Sequence, residues 1–431
     1  MQFQEIKNTV MERMLHYIWK HRLFSDIDFI TTEGEPVFVI DAGIPNTDAG
    51  PDFFNAKVRI GNTVWVGNIE IHNRSSDWFQ HRHQQDKLYD TVILHVIRRY
   101  DADIFRTNGE PIPQAILPVP ENIEKNIEWL LLRDTPVSCA ERLSSVSSLH
   151  LSGWLNALLA ERLGRKTDDI LVRLKKNFKD WNEVFYMTLT RNFGFGVNSD
   201  AFELLAGSLP YKCILKHRNN PAQIEALFLG QAGLLDEEND DPYYLLLRRE
   251  YEFLCKKYRL RPVNSFLFKK LRTRPVNFPH VRLAQLAAVW VRHDLLFSKI
   301  LETEQIKTMR AFFNIEPSEY WSTHYRFGMV SDVKKKSIGK NATDIILINT
   351  VIPTLFAYGK YMNRPEYCER ALRLLDEIKP EKNSIVALFQ QFGLSAKSAS
   401  DSQALIQLRR EYCDRKKCLY CRIGFRVIGN S

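Results

Sequence analysis

The segment that decides the fold of the N-terminal region is NTDAGPDFFNAKVRIGNTVWVGNIEIHNRSSDWFQHRHQQDKLYDTVILHVIRR, residues 46–99. Two stretches rich in β-branched and aromatic residues flank Gly61-Asn62, which predicts a hairpin of antiparallel strands. Ser75, Ser76 and Asp77 predict the start of a helix, because these side chains cap helix N-termini. The apolar run VILHV then predicts another strand.

The flanking sequence extends this pattern into a module. Helical spacing of apolar residues predicts a helix over residues 5–23, and PVFVIDAG predicts a strand at 36–41. The resulting order, α-β-β-β-α-β, is that of a mixed α/β module. After a proline-rich edge strand, long helical patterns dominate. We therefore predict an α/β module over 1–120, an irregular all-α domain over 121–412 and a Cys-rich tail over 413–431.

The charge balance favours a polyanionic partner. The 431 residues include 60 basic and 51 acidic side chains, a formal net charge of +9. Basic clusters are the electrostatic footprint of a nucleic-acid-binding protein, although any single cluster is also typical of a solvated helix face. The basic clusters include Lys175-Lys176, Lys256-Lys257, Lys269 to Arg274, Lys334 to Lys336, Arg409-Arg410 and Lys416-Lys417.

The apolar pattern predicts no membrane partner. No run of 18 apolar residues and no signal-peptide pattern occurs, so we expect a cytoplasmic protein. The sequence leaves the oligomeric state open.

The hairpin carries polar residues that core packing does not need. Strand alternation places Glu70 and His72 on one face. The tight turn predicts that Asp52 lies opposite residue 71, within reach of Glu70. Two carboxylates that close repel each other unless a cation lies between them. An oxygen-only pair predicts Mg²⁺ or Mn²⁺.

The helix predicted after the hairpin adds further candidates. On a continuous helix, His81 and His83 would point about 200° apart and could not both face one metal. Asp77 and His81 share a face, and this pair is the one we expect to face the hairpin. His95 is expected to be a buried core histidine. The alternative for all these residues is a solvated polar surface.

These motifs resemble the core of the PD-(D/E)xK nuclease superfamily. The resemblance is based on Pro51-Asp52, Glu70-Ile71-His72, the following helix and VILHV, and covers roughly residues 5–100. It implies a restriction-endonuclease-like fold, metal binding by Asp52 and Glu70, and an auxiliary role for Glu12 on the preceding helix. His72 stands where that superfamily has Lys, and we expect it to orient or deprotonate the attacking water.

A second resemblance covers the whole chain. GPDF, IEIH, SSDW, HRH and VILHV, together with a terminal cysteine cluster, resemble an uncharacterised bacterial domain-of-unknown-function family, number 2851. This resemblance implies no activity.

The C-terminal tail predicts a second metal site. Cys413, Cys418 and Cys421 have the spacing C-x4-C-x2-C, and neither Cys nor His follows them. Zinc prefers four ligands, so Cys139 is the expected fourth. An iron–sulfur cluster is the alternative metal group, and three free thiols are the alternative to any site.

Three hypotheses for function follow from these features. The first is a metal-dependent nuclease that hydrolyses phosphodiesters at Asp52, Glu70 and His72. The second is a non-catalytic nucleic-acid-binding or protein-binding factor on the same scaffold. The third is a hydrolase of another class that uses His72, Asp77 and His81 with a transition metal.

Overall fold

The computed structural model describes residues 2–24, 29–271 and 273–429, with side chains from residue 11 onward. The chain forms two compact units. The first comprises Met1–Trp154 together with Leu408–Ser431, and the second comprises Leu155–Gln407. These boundaries differ from the predicted ones at 120 and 412 because the end of the chain packs with the first unit. Helical periodicity alone does not reveal such a long-range return.

The first unit contains one mixed β-sheet with helices around it. Its elements up to residue 176 are α1 (Gln2–Lys20), β1 (Val37–Asp41), β2 (Ile44–Pro45), β3 (Phe53–Ile60), β4 (Thr63–Arg74), α2 (Asp77–Gln80), β5 (Val92–Arg99), β6 (Gln114–Ile116), α3 (Glu121–Leu132) and α4 (Ser148–Lys176). The last of these, α4, continues into the second unit. Short 3₁₀ turns lie at His83–Gln85, Lys87–Thr91 and Ala140–Ser145.

The strand order is β1-β3-β4-β5-β6, with β2 also paired to β3. β1, β3 and β4 pair antiparallel, whereas β4, β5 and β6 pair parallel. Ile60 pairs with Thr63, so the turn at Gly61-Asn62 is the predicted two-residue hairpin loop. The prediction of a mixed α/β module followed by a helical region is therefore confirmed.

Helix α1 packs against β4 and supplies one side of the core. Met14, Leu15, Ile18 and Trp19 are each at most 1% exposed, at the spacing of one helix face. Burying each large apolar side chain contributes about 1.5–3 kcal/mol to stability. This packing fixes α1 beside the strand that carries Glu70 and His72.

A bulge in β3 changes the predicted register near the candidate site. The pairs run in one register from Ile60–Thr63 to Ala56–Gly67, and the register then shifts so that Phe53 pairs with Ile69. Asn55 lies within this shift at φ +55°, the left-handed region that Asn tolerates better than most residues. Asp52 consequently lies beside Glu70 itself, one residue from the predicted position.

The second unit is helical, with one short hairpin of His324–Arg326 and Met329–Val330. Apart from the end of α4, its α-helices are Trp181–Phe193, Ser199–Ser208, Tyr211–His217, Pro221–Gln231, Pro242–Tyr258, Pro279–Arg292, Leu296–Glu302, Ile306–Ala311, Tyr320–Thr323, Lys340–Ile346, Ile352–Tyr361, Pro365–Glu377, Ser384–Gln391 and Ala399–Gln407. A π-helical turn, Leu347–Val351, joins two of these into one long helix.

This long helix, Lys340–Tyr361, is sufficiently long and apolar to cross a membrane. However, 67% of its most apolar window is buried inside the protein, as in the core helix of a soluble protein.

The first unit ends with the returning chain. A π-helical turn, Leu408–Cys413, leads to a 3₁₀ turn at Cys418–Tyr420 and to the helix Arg422–Gly429. Asn126 on α3 donates a hydrogen bond to the carbonyl oxygen of Ile428 at 3.0 Å. Asn126 is 9% exposed, so this bond fixes the end of the chain against α3 in a largely dry environment.

Candidate metal centre

Glu70 and His72 project from the same face of β4 into the interior. Their side chains are 6% and 2% exposed. Oε2 of Glu70 accepts a hydrogen bond from the backbone N–H of Asp52 at 3.0 Å. Its other oxygen, Oε1, lies 3.4 Å from His72 Nε2. The backbone bond therefore orients Glu70 so that one oxygen faces the histidine.

Asp52 lies at the rim of the same pocket. Its Oδ2 accepts a hydrogen bond from the backbone N–H of Ile71 at 2.9 Å and lies 3.2 Å from Nε2 of His16. The side chains of Asp52 and His16 are 23% and 32% exposed, more than those of Glu70 and His72, although Nε2 of His16 is itself buried. His16 was not predicted from the sequence. The available signal was its position four residues after Glu12, which places both side chains on one face of α1.

The two other predicted acids have different positions. Glu12 is half-buried next to His16 and Asp52, and burial raises its pKa. Asp77 accepts a hydrogen bond from the backbone N–H of Arg74 at 2.8 Å, which makes it a cap of the turn after β4.

His81 and His83 both face His72, contrary to the prediction. Helix α2 ends at Gln80, and Arg82 adopts φ +62°, so the chain reverses its helical sense between the two histidines. Nδ1 of His81 lies 3.1 Å from His72 Nε2, and Nε2 of His83 lies 3.2 Å from Glu70 Oε1. The expectation of one continuous helix was wrong because a single left-handed residue breaks it.

Three imidazoles thus converge on one point. Ligand nitrogens of His72, His81 and His83 all lie within 4.8 Å of one another. Nε2 of His83 is buried and makes no hydrogen bond in the described structure, although it lies 3.2 Å from Glu70 Oε1. Such a nitrogen is normally satisfied by a water or an ion.

A chain of hydrogen bonds fixes the tautomer of His72. Nε2 of Gln114 donates to the carbonyl oxygen of Ala102 at 3.0 Å, so its Oε1 faces Nδ1 of His95 at 3.2 Å. Because Oε1 only accepts, Nδ1 of His95 carries the proton and its Nε2 accepts from Nδ1 of His72 at 2.8 Å. The Nε2 lone pair of His72 therefore points at Glu70 and His81. His95 is buried as predicted, but it also orients a candidate ligand.

Burial controls the charges of these groups. Burial and then the neighbouring histidines hold the pKa of His72 well below its usual value. Burial also lowers the pKa of His95, to about 4. Burial and then the Asp52 carboxylate raise the pKa of Glu70 well above its usual value. At neutral pH, His72 and His95 are therefore uncharged and available as lone-pair donors.

Aromatic rings hold His83 in place. Tyr89 stacks on its imidazole at 3.7 Å between ring centroids, and Trp78 meets it edge-on at 5.2 Å. Trp78 is fully buried, so the ring lies against a rigid wall. A rigid donor loses little conformational entropy when it binds an ion.

The four predicted cysteines lie in one region of the first unit. Burial is the main cause that raises the pKa of Cys139 to about 12 and of Cys421 to about 11. Burial also raises the pKa of Cys413, and the thiols of Cys421, Cys139 and Cys418 raise it further, so all four share one electrostatic neighbourhood. Their sulfurs do not form a group within 4.8 Å of one another, unlike the histidine nitrogens.

Hydrogen bonds hold the segments that carry these thiols together. Nζ of Lys416 donates to the carbonyl oxygen of Arg133 at 2.5 Å, which joins the tail to the segment before Cys139. Gly424 approaches the Cys418 carbonyl so closely that an added Cβ would lie 2.1 Å from its oxygen. The C-terminal cysteine loop therefore depends on a residue without a side chain at this position.

Residues 12–384 match the model of a family described as protein of unknown function (DUF2851). The chain belongs to this family. No curated protein and no solved structure gave a significant match. The DUF2851 family description assigns no activity.

Proposed function

We propose that this DUF2851 protein is a metal-dependent hydrolase of nucleic-acid phosphodiesters, with its metal held by Glu70, His72, His81 and His83. The observation that supports the proposal most is the spacing of donor atoms. Three of the six donor separations, at 3.1, 3.2 and 3.4 Å, are close to the edges of about 3.3–3.4 Å expected for a tetrahedron with metal–ligand bonds of about 2.0–2.1 Å. The three histidines also lie within 4.8 Å of one another, and Glu70 adjoins two of them.

The donor set favours a particular kind of ion. Three imidazoles and one carboxylate suit Zn²⁺ or Mn²⁺ better than Mg²⁺, which prefers oxygen ligands. The sequence-based prediction of Mg²⁺ or Mn²⁺ counted only the oxygens of Asp52 and Glu70 and did not include the imidazole ligands. Of the two ions predicted there, Mn²⁺ remains the better candidate.

A bound ion would supply Lewis-acid activation of a water and of a phosphate oxygen. The chain's own residues supply the remaining steps. Glu70 and His72 are buried and orient the centre, whereas the side chains of Asp52 and His16 are partly exposed, although Nε2 of His16 is itself buried. In hydrolysis, the water oxygen bonds to phosphorus, the P–O bond to the leaving group breaks, and protons must leave the water and reach the leaving oxygen. Asp52 and His16 are the groups placed for these transfers.

The proposal includes a restriction-endonuclease-like core for the first unit. Its support is the element order, which is α-β-β-β-α-β apart from the additional two-residue strand β2, and the placement of Asp52 and Glu70 at one site. His72, at the position of the superfamily's Lys, here acts as a ligand rather than as the base. The net charge of +9 supports a nucleic-acid partner, and the buried character of Lys340–Tyr361 is compatible with a cytoplasmic location.

The test is cleavage of single-stranded and duplex DNA and RNA with Mn²⁺, Zn²⁺ or Mg²⁺. Wild type should cleave at least one substrate with Mn²⁺ or Zn²⁺, and Glu70→Gln and His81→Ala should lose that activity. Two matched controls should retain activity: Glu110→Gln changes an exposed carboxylate, and His150→Ala changes an exposed histidine of the same unit. Wild type that binds nucleic acid but cleaves none would favour the non-catalytic binding factor.

We also propose zinc, or alternatively an iron–sulfur cluster, at Cys139, Cys413, Cys418 and Cys421. The supporting observation is that Cys139 and the cysteines of the C-terminal segment lie close enough to raise one another's pKa; Cys421 is buried and the other three are partly buried. Elemental analysis of the purified protein should find about one zinc per chain in addition to the histidine-bound metal. If the group is an iron–sulfur cluster instead, the protein should contain iron and show the visible absorption band of such a cluster. Wild type and Cys418→Ala with the same metal content would contradict this proposal.

A further inference from the structure

The helical unit contains a cavity with a strongly basic lining. Its volume is 570 Å³, and its described lining includes six Lys or Arg residues and neither Asp nor Glu. The basic residues are Arg274, Arg282, Lys334, Lys335, Lys336 and Lys340. They come from two of the basic clusters noted in the sequence and from two helices. Arg272, in the first cluster, lies outside the described residues.

Arg282 is held by neutral partners only. Its Nη1 donates to Gln285 at 2.9 Å and its Nη2 to Asn277 at 2.6 Å, while the guanidinium lies 4.1 Å from the ring centroid of Phe195. Its Nε is buried without a hydrogen-bond partner in the described structure. No carboxylate among the described residues pairs with Arg282. Its charge is therefore positioned but not neutralised.

Lys336 repeats this arrangement on the facing segment. The residue is 4% exposed, and its Nζ donates to the carbonyl oxygens of Trp321 at 2.5 Å and Ser322 at 3.1 Å. Gln285 donates to the Lys336 carbonyl oxygen at 2.7 Å and so connects it to Arg282. Two cations without carboxylate partners are thus joined through one glutamine. A buried charge without a counter-charge is unfavourable, and an anion in the cavity would compensate it.

The rim supplies further unpaired charge. Arg274, Lys334 and Lys340 are exposed and have no acid partner among the described residues, whereas Lys335 pairs with Glu316 at 3.1 Å. The long helix Lys340–Tyr361 also begins here, and its first turn lacks a side-chain cap. The backbone N–H groups at such a helix start favour a negatively charged ligand.

We propose that this cavity binds the phosphate backbone of a nucleic-acid strand. Guanidinium and ammonium groups combined with helix-start N–H groups match phosphate chemistry. An adjoining cavity of 450 Å³ shares Arg274 and Arg282, so the basic path extends beyond the space that one phosphate needs. The inference shares its substrate class with the proposed function, and it concerns binding rather than cleavage.

The experiment measures binding of a fluorescent oligonucleotide by anisotropy, without added divalent metal. The full-length triple variant Arg274→Gln/Lys334→Gln/Lys340→Gln is compared with Lys175→Gln/Lys176→Gln/Lys179→Gln. The control changes the same net charge at exposed positions of the same unit away from the cavity. Both triples should retain the wild-type circular dichroism spectrum, because all six side chains are exposed.

The cavity triple should weaken binding at least about tenfold at 50 mM salt and reduce the slope of log affinity against log salt by about 2–3, since each phosphate contact contributes about 0.7–0.9. The control should change affinity less than about twofold. Equal losses in both triples would overturn the proposal and indicate a general charge effect.

Two competitors separate the possible sources of the ligand. Polyglutamate that competes as well as an oligonucleotide of the same charge would overturn phosphate recognition. Micromolar pyrophosphate that displaces the oligonucleotide completely would overturn the nucleic-acid assignment in favour of a small phosphate ligand. Binding that depends on the cavity residues without any cleavage would contradict the proposed hydrolase but support this inference. If the cavity triple variant still cleaves nucleic acid and binds it as tightly as wild type, the result would support the proposed hydrolase and contradict this inference.

Discussion

The histidine centre and the cysteine cluster lie in the same unit, but they are organised differently. At the centre, Glu70 Oε1 and the imidazole nitrogens lie 3.1–3.4 Å from their neighbours, and backbone or side-chain hydrogen bonds fix Glu70 and His72. At the cluster, four thiols share one region without reaching that spacing. Residues from one short segment, 70–83, can be positioned by local structure, whereas the cluster depends on chain segments almost 300 residues apart.

The largest effect expected at the centre comes from replacing His72. The superfamily resemblance predicts that His72→Lys keeps or raises activity, because Lys is the superfamily's residue at that position. The geometry predicts the opposite, because Lys removes the imidazole nitrogen that faces Glu70 and His81. We expect His72→Lys and His72→Ala both to lose metal binding and to reduce kcat at least about 10⁴-fold. Retained cleavage in the Lys variant would contradict the ligand role of His72 and support the superfamily mechanism.

The next prediction distinguishes the two sites by the number of protons that each releases when it binds metal. Burial raises the pKa of all four thiols, so the metal-free cluster is protonated at pH 7. Zinc binding there should release close to one proton per thiol and weaken as pH falls. His72 is neutral at pH 7, so metal binding to the histidine centre should release fewer protons. Titration in weak buffer with a pH indicator measures the difference, and Cys413→Ala/Cys418→Ala should remove the larger release.

A smaller effect is expected from the residue behind His72. His95→Phe removes the acceptor that orients His72 Nδ1 but keeps an aromatic ring in the core. Loss of such a supporting hydrogen bond typically costs about 10–100-fold in metal affinity. Isothermal titration with Mn²⁺ or Zn²⁺ would measure the loss. Zinc binding at the cysteine cluster should not change, and an equal loss there would point to general misfolding.

The smallest effect tests how the two histidines are brought together. Arg82 adopts a left-handed backbone conformation. Arg82→Gly should be tolerated, whereas Arg82→Val should cost about 1–2 kcal/mol in the free energy of unfolding. The Val variant should also weaken metal binding through His81 and His83. Urea denaturation and metal titration of the Gly and Val variants test both expectations. Equal stability and equal metal affinity in the two variants would show that this conformation is unimportant.

The sequence predicted those features of the site that arise from regular local structure. Alternation along β4 and the turn at Gly61-Asn62 placed Asp52, Glu70 and His72 at one site. The bulge at Asn55 and the left-handed Arg82 were not predicted, because non-glycine residues in that conformation leave no clear sequence signature.

The other features that the sequence did not predict arise from long-range packing. His16 belongs to the centre only because α1 packs on β4, and periodicity indicates which face is buried but not which strand it meets. The proximity of Cys139 to the tail was predicted from ligand number alone. Residues 408–429 also return to the first unit, so the boundaries of the units differ from those that composition indicates.

The discontinuity of the first unit has a consequence for biosynthesis. During translation, residues 1–154 leave the ribosome without the segment that completes their unit, and the 253 residues of Leu155–Gln407 follow before that segment is made. The second unit is continuous in sequence and can fold as soon as it emerges, since domains generally fold as units. The partial first unit must meanwhile remain soluble with its C-terminal packing surface uncovered. A released chain that ends at residue 407 should therefore be protease-sensitive in its first 154 residues while its later residues are protected.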